Sequence, residues 1–112
     1  MTRTVDAPTL AERLGDTARP DPTLIDVRRT AEFDAARIEG ALNIPLHELP
    51  KRVNEVPDAE VWVHCAGGYR AGVVAALLDA HGIDVVAIDD SFDNAGPAGL
   101  PLATATLQEI SA

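Results

Sequence analysis

Residues 61–82 of the chain read VWVHCAGGYRAGVVAALLDAHG. The apolar run at 61–64 predicts a buried strand, because it is compact and flanked by polar residues. Residues 71–81 follow a helical pattern that ends at Gly82, a residue that commonly terminates helices. Cys65 therefore lies at a junction between a strand and a helix. The residues expected on the buried face of this helix are Val73, Val74, Leu77 and Leu78.

The rest of the chain continues this alternation of strands and helices. Predicted strands span 23–27, 40–45 and 84–88, and predicted helices span 9–14, 30–38 and 46–53. The first helix is expected to begin with a capping box formed by Thr9 and Glu12. The tail is expected to be a loop with one helical turn at 106–110. Alternating elements with apolar strands predict an α/β fold, in which helices cover both faces of a parallel sheet.

Length and charge restrict the class of protein. The 112 residues are enough for one domain, predicted to span 1–112, and 46% of them are hydrophobic, which predicts a globular core. The net charge is −9, and residues 71–112 contain six acidic and no basic side chains. Nucleic acid and anionic membranes are therefore not expected as partners, because both require a basic surface.

The chain has a single cysteine, Cys65. One cysteine excludes an internal disulfide and a metal site made of several cysteines, and the three histidines have no ligand spacing that suggests a metal. No apolar segment is long enough to cross a membrane, and the first residues lack the apolar stretch of a secretory signal. These features together favour a cytoplasmic protein.

The surroundings of Cys65 predict a nucleophilic thiolate. Glycines at 67 and 68 let successive backbone amides turn inward, and a helix start adds the positive end of a dipole. Such a cradle stabilises anions, including a thiolate, and Arg70 adds a planar cationic group suited to sulfate-like oxygens. The alternative is an inert, buried cysteine, which is the commoner role of a lone cysteine in an intracellular domain. The glycine pair and the arginine favour the functional interpretation.

The neighbours of Cys65 receive predicted roles from their residue types. Amides of the loop are expected to bind substrate, and the loop residues concerned are Ala66, Gly67, Gly68, Tyr69 and Arg70. Tyr69 would either form a pocket wall or pack on the domain surface. Asp26 and Arg28 are expected to form a supporting pair at the end of a strand. His64 should point away from Cys65 and be a buried structural residue, because successive strand residues alternate between faces.

At this point the sequence resembles the rhodanese-like sulfurtransferases. Their active loop consists of Cys, four residues and Arg, with Gly three positions after the Cys, and residues 65–70 match it. Segments similar to the family's first signature lie at 26–28, 32–33 and 38–46, and a segment similar to its last signature lies at 98–102. The run at 64–70 also resembles rhodanese domains fused to persulfide dioxygenases of the metallo-β-lactamase type, but these 112 residues contain no such partner domain.

The resemblance implies a rhodanese-like fold, with a central, mostly parallel sheet of about five strands and helices on both faces, and a persulfide mechanism. Cys65 would take sulfane sulfur from thiosulfate or a small persulfide and pass it to a thiol, to cyanide or to a protein acceptor. No metal or organic cofactor is implied. Related phosphatases of the same fold place five residues between Cys and Arg, whereas four separate Cys65 from Arg70, so the shorter loop favours sulfur over phosphate.

Four departures from the family pattern involve six positions. Ala71 stands where Ser or Thr is common, Ala36 and Arg37 replace Gly-His, Asp90 and Ser91 replace Gly-Gly, and Ala95 replaces Trp. The Asp90 carboxylate is expected to lie beside the cradle and to repel an anionic donor.

Two other functions remain open. The domain could be a sulfur carrier or a silent interaction module for a partner protein. A small phosphatase or arsenate reductase is disfavoured by the short loop and by the absence of a second cysteine.

Overall fold

The described part of the protein, residues 3–104 of a computed structural model, contains seven strands and four α-helices. The strands are β1 (Arg3–Val5), β2 (Thr23–Asp26), β3 (Ala36–Ile38), β4 (Leu42–Asn43), β5 (Val61–His64), β6 (Val85–Ile88) and β7 (Leu102–Thr104). The helices are α1 (Ala7–Leu14), α2 (Thr30–Ala35), α3 (Leu49–Arg52) and α4 (Tyr69–Ala80). Short 3₁₀ turns lie at Leu46–Glu48, Val53–Glu55 and Phe92–Asn94.

The central sheet has five strands in the order β1-β6-β5-β2-β4, and every neighbouring pair is parallel. This arrangement confirms the predicted α/β class and its parallel sheet. Strand β5 lies in the middle of the sheet and all four of its residues are buried. The carboxyl ends of β2, β4 and β5 therefore lie side by side at one edge, where open parallel sheets usually place their functional sites.

Two core layers cover the two faces of the sheet. Alternation along β5 sends Val61 and Val63 into the layer beneath α3 and α4, and Trp62 into the layer beneath α1. Cys65 belongs to the first layer. The fold thus fixes the thiol on the α4 side of the sheet.

Helix α1 begins earlier than the sequence predicts. The side chain of Asp6 caps it by accepting a hydrogen bond from the Thr9 amide at 3.0 Å, with Ala7 and Pro8 in the first turn. The predicted capping box of Thr9 and Glu12 is therefore wrong. Asp and Pro at these positions suit a helix start at least as well, because Asp accepts from an amide and Pro has no amide to satisfy.

The helix predicted at 30–38 is shorter. It ends at Ala35, because Ala36 is extended (φ −160°, ψ 136°) and continues into β3, which pairs antiparallel with β7. The predicted loop after residue 89 therefore contains strand β7, and the predicted helical turn at 106–110 lies outside the described residues. Pairing between 36–38 and 102–104 is a long-range contact that local pattern does not reveal.

Helix α4 begins at Tyr69, two residues before the predicted start, and buries Ala71, Val74, Ala75 and Leu78. Val73, predicted to be buried, is 42% exposed. The small alanine side chains let the helix axis approach the sheet closely. The buried face of α4 therefore includes Ala71 and Ala75 together with Val74, and Val73 lies outside it.

Strand β1 was also not predicted, since its only apolar residue is Val5 and it pairs along one edge alone. Within residues 3–104, no helix combines the length and the apolar character needed to cross a membrane.

Candidate functional site

Cys65 follows β5 directly and its side chain lies within the loop that leads into α4. Its Sγ accepts hydrogen bonds from the amides of Gly68, at 3.0 Å, and Ala71, at 3.3 Å. The residue is only 2% exposed. Two amides and the start of a twelve-residue helix therefore face one sulfur atom, an arrangement that stabilises negative charge on it.

The loop owes its shape to Gly68, which has φ +101° and precedes the helix. A Cβ at this position would lie 2.5 Å from Oδ1 and 3.1 Å from Cα of Asp89. Gly68 is therefore required both by its left-handed backbone and by the close approach of the chain after β6. Gly67 has open space around the corresponding position, so the two glycines differ in their roles.

The loop after β6 also supports the active loop. The amide of Phe92 donates to the carbonyl of Ala66 at 2.8 Å. The Phe92 ring lies under the guanidinium of Arg28, 4.1 Å from its Cζ, and stacks on His64 with centroids 6.0 Å apart. The sequence did not indicate this role for Phe92, because the contacts join three distant segments.

Arg70 forms a bidentate ion pair with Glu32, with NH1 to Oε1 at 2.8 Å and NH2 to Oε2 at 3.2 Å. The pair lowers the pKa of Glu32 to about 2 and raises the pKa of Arg70. Both terminal nitrogens of Arg70 thus face a carboxylate. The sequence placed Glu32 in a family-like segment without a role, and the structure brings it to the active loop.

Asp26 and Arg28 form a buried pair beneath the site, at the end of β2. Arg28 Nη2 lies 2.7 Å from Asp26 Oδ2, and Arg28 Nε lies 3.0 Å from both carboxylate oxygens. Arg28 Nη2 also donates to the carbonyl of Ala36 at 2.6 Å. The pair joins β2 to the start of β3. Within residues 3–104, neither side chain of the pair forms a hydrogen bond with the Cys65 side chain.

His64 is 3% exposed, and its ring stacks with Phe92, which belongs to the core layer beneath α1. This position agrees with the prediction of a buried residue that points away from Cys65. Burial lowers the pKa of His64, although Asp26 Oδ2, 3.6 Å from Nε2, acts in the opposite direction. Among the described residues, Nε2 has no hydrogen-bond partner.

The carboxylate of Asp90 is turned toward α1. Its Oδ2 accepts from the Ala7 amide at 2.8 Å, and its Oδ1 accepts from the Ser91 amide at 2.7 Å and from Asn94 Nδ2 at 2.6 Å. These bonds lower the pKa of Asp90. The expectation that Asp90 lies beside the cradle is therefore wrong, and the carboxylate adjacent to Gly68 belongs to Asp89.

Tyr69 is 83% exposed, and Ala66 and Gly67 complete the outer rim of the loop. Two positions were predicted for Tyr69, one in a pocket wall and one packed on the domain surface. The high exposure of its side chain agrees with neither of them. Its ring instead projects from the first turn of α4.

A cavity of about 490 Å³ lies beside the active loop and is lined by Val27, Arg29, Pro45, Leu46, His47 and Arg70. Its floor is at the carboxyl end of β2, since the amide of Val27 donates to the His64 carbonyl at 3.0 Å and its carbonyl accepts from Leu46 at 3.1 Å. Arg29 and His47 were not predicted to be site residues. The chain after β2 and the chain after β4 bring them together, and neither segment carries a local signal for this.

Residues 3–104 contain no group of three or more His, Cys, Asp or Glu side chains arranged to hold a metal ion. The groups that could bind a small anion are the loop amides and the cationic side chains along the cavity.

Comparison with known proteins agrees with this architecture. Residues 6–95 match the model of the rhodanese-like domain family. A sulfurtransferase from Allochromatium vinosum is 36% identical over 83 residues, which cover 73% of this chain and 76% of the relative. The Bacillus subtilis protein YrkF, whose name proposes a sulfur carrier, is 34% identical over 64 residues, which cover 56% of this chain and 35% of YrkF.

Solved structures include a rhodanese-like domain protein from Staphylococcus aureus, with a TM-score of 0.78 and 28% identity, covering 88% of this chain and 96% of that one. The chain spans less than half the length of several curated relatives, with 44%, 48% and 35% of their lengths covered. The family match nevertheless includes four of the five strands of the central sheet, the active loop and α4. The chain belongs to the rhodanese-like domain family.

Proposed function

We propose that this domain is a sulfurtransferase of the cytoplasm that moves sulfane sulfur from thiosulfate or a small persulfide to a thiophilic acceptor. The observation that carries the proposal is the position of Cys65 Sγ, 3.0 Å and 3.3 Å from the amides of Gly68 and Ala71. Two donors directed at the sulfur stabilise the negative charge that it carries when it attacks or leaves during transfer. Family membership and the Allochromatium vinosum relative support sulfur transfer.

In the first step the Cys65 thiolate attacks the outer sulfur of thiosulfate. A sulfur–sulfur bond forms between Cys65 and that sulfur, the bond to the sulfonate breaks, and sulfite leaves with the electron pair. With a small persulfide as donor, the leaving group is the corresponding thiolate. During this step the negative charge passes from Cys65 Sγ to the outer sulfur of the new persulfide. We expect the loop amides to stabilise the charge at that position as well.

In the second step the acceptor attacks the outer sulfur of the Cys65 persulfide. A thiolate acceptor becomes a persulfide, cyanide becomes thiocyanate, and the electron pair of the broken bond returns to Cys65 Sγ. No external oxidant or reductant is consumed. A protein thiol is a further acceptor of the same chemistry.

Loop size supports sulfur in preference to phosphate. Four residues separate Cys65 from Arg70, and both terminal nitrogens of Arg70 are occupied by Glu32. A tetrahedral phosphoryl group requires several donors around its oxygens, whereas one sulfur atom requires few. This geometry leaves two amides directed at a single atom.

The test is steady-state transfer from thiosulfate, and separately from glutathione persulfide, to cyanide, followed as thiocyanate. Wild type should turn over repeatedly, and Cys65→Ala should reduce the rate to that of buffer. Thermal unfolding of Cys65→Ala checks that the fold persists. Turnover by Cys65→Ala, or none by wild type with either donor, would contradict the proposal.

A second candidate is a sulfur carrier without turnover on small acceptors. The low exposure of Cys65, 2%, favours it, because a shielded persulfide would be released only to a docked partner. The relative YrkF supports the same idea. Formation of a stable Cys65 persulfide that cyanide and small thiols do not discharge would favour the carrier over the enzyme.

A further inference from the structure

We propose that the cavity beside the active loop binds a small thiol that carries a carboxylate, and that Arg29 recognises this carboxylate. The inference rests on the proposed function, because it names the class of thiol that donates sulfur to Cys65 or accepts it. Arg29 would be a specificity-determining residue. The cavity, about 490 Å³, has the size of ordinary small-molecule sites.

The first argument is position. Strands β2 and β5 are neighbours, and the amide of Val27 on the cavity floor is bonded to the carbonyl of His64, the residue before Cys65. Arg70 lines the cavity and also closes the active loop. A ligand in the cavity therefore lies next to the loop that holds the reactive sulfur.

The second argument is charge. Among residues 3–104, no acidic residue lines the cavity, in a protein whose net charge is −9. Glu32 neutralises Arg70, and Glu48 lies 3.4 Å from His47 Nε2. For the Arg29 guanidinium, no ion pair or hydrogen bond is found within residues 3–104. In the described part of the chain, Arg29 is thus the lining cation without an acidic partner.

The third argument is the fixed position of the Arg29 backbone. Oε1 of Glu32 accepts from the Arg29 amide at 3.1 Å and from Arg70 NH1 at 2.8 Å. One carboxylate oxygen therefore joins the cavity wall to the active loop. The backbone from which the Arg29 side chain extends is therefore anchored at the cavity wall.

The fourth argument concerns the ligand's body. Val27 and Pro45 are buried and Leu46 is partly buried, so one wall is aliphatic. Thiosulfate has no aliphatic part and would use only the loop. A thiol with several carbons between its sulfur and a carboxylate would use the loop, the aliphatic wall and Arg29 together.

The test compares glutathione with its diethyl ester, in which neutral ethyl esters replace both carboxylates, and makes the same comparison in each variant. Wild-type protein loaded with sulfur from thiosulfate should transfer to glutathione with a kcat/KM about tenfold higher than to the ester, as expected for one partly exposed charge-assisted bond. In Arg29→Gln this ratio should fall to about one. In Arg3→Gln, which removes the same charge from strand β1, the ratio should stay at the wild-type value.

A binding measurement separates this inference from the proposed function. S-methylglutathione cannot accept sulfur, so its titration by NMR reports binding alone. Shifts at Val27 and Leu46 in wild type that are lost in Arg29→Gln would support the cavity even if no sulfur transfer occurred. Equal kcat/KM for glutathione and its ester in wild type, or unchanged binding in Arg29→Gln, would overturn the inference.

Discussion

Glu32 and Arg70 face each other across the active loop, joined by hydrogen bonds of 2.8 Å and 3.2 Å. They come from α2 and α4, 38 residues apart. The pair connects the loop that contains Cys65 to the segment after β2. Arg70 therefore holds the active loop in place, and Glu32 compensates its positive charge. An anion at Cys65 is then held mainly by backbone amides.

Replacing Glu32 with Gln should release Arg70 and loosen the loop. We expect kcat/KM for thiosulfate to fall by about tenfold or more, because small displacements of positioned groups are costly. The measurement is cyanide-dependent turnover. Glu12→Gln, an exposed change on α1, is the matched control and should retain wild-type turnover. An equal or faster rate in Glu32→Gln would show that the pair does not support the active loop.

The same pair predicts a pH dependence of stability. The pKa of Glu32 is lowered from 4.5 to about 2, so its stabilisation is present above pH 4.5 and is lost as the pH falls toward about 2. The pair is partly exposed, which limits its contribution to about 1 kcal/mol. The difference between wild type and Glu32→Gln in urea unfolding should therefore be full at pH 6, shrink below pH 4.5 and disappear near pH 2. A difference that grows on acidification would contradict the assignment.

His64 predicts a second pH dependence with its own window. Burial lowers its pKa below 6.5, so the unfolded chain binds more protons in the interval between the folded pKa and 6.5. The contribution of His64 to stability should rise with pH through this interval and be constant on either side of it. In His64→Gln this part of the profile should flatten, as measured by thermal unfolding at a series of pH values. An unchanged slope in the variant would show that His64 is not its source.

Gly68 and Gly67 provide a matched pair. Gly68→Ala forces a Cβ to 3.1 Å from the Asp89 Cα at φ +101°, so we expect a loss of about 1–3 kcal/mol in the free energy of unfolding, with loss of turnover. Gly67→Ala has open space around it and should unfold within about 0.5 kcal/mol of wild type. Equal stability of the two variants would contradict the described loop geometry.

The buried Asp26–Arg28 pair should matter for folding more than for chemistry. Asp26→Ala leaves a buried guanidinium unpaired, and we expect a loss of about 3–5 kcal/mol in unfolding free energy. Because such a variant could fail to fold, Arg28→Lys, which keeps the charge but loses the bidentate contact, is measured beside it. The stability of Arg28→Lys should lie between those of Asp26→Ala and wild type. Wild-type stability in both variants would contradict a structural role for the pair.

The elements with a clear hydrophobic or glycine pattern of their own could be predicted from the sequence. Strand β5 and the loop after it follow from an apolar run and two glycines, and the parallel sheet follows from alternation. Strands β1, β3 and β7 were missed because their pairing partners are distant in the chain and their own residues carry little apolar pattern.

The candidate site shows the same division. The motif located Cys65 and its loop, since those residues are consecutive in sequence. The partners of that loop come from elsewhere: Glu32 from α2, Phe92 from the loop after β6 and Arg29 from the end of β2. Asp90 was misplaced because its orientation depends on the amide of Ala7 at the opposite end of the chain.

The central claim is that Cys65 holds sulfane sulfur as a persulfide, and intact-mass spectrometry tests it most directly. After incubation with thiosulfate or glutathione persulfide and removal of excess donor, the wild-type protein should gain the mass of one sulfur atom, located by peptide mapping on Cys65. Cyanide should remove it, and Cys65→Ser should gain none. No added sulfur in wild type with either donor, or equal addition in Cys65→Ser, would contradict the account.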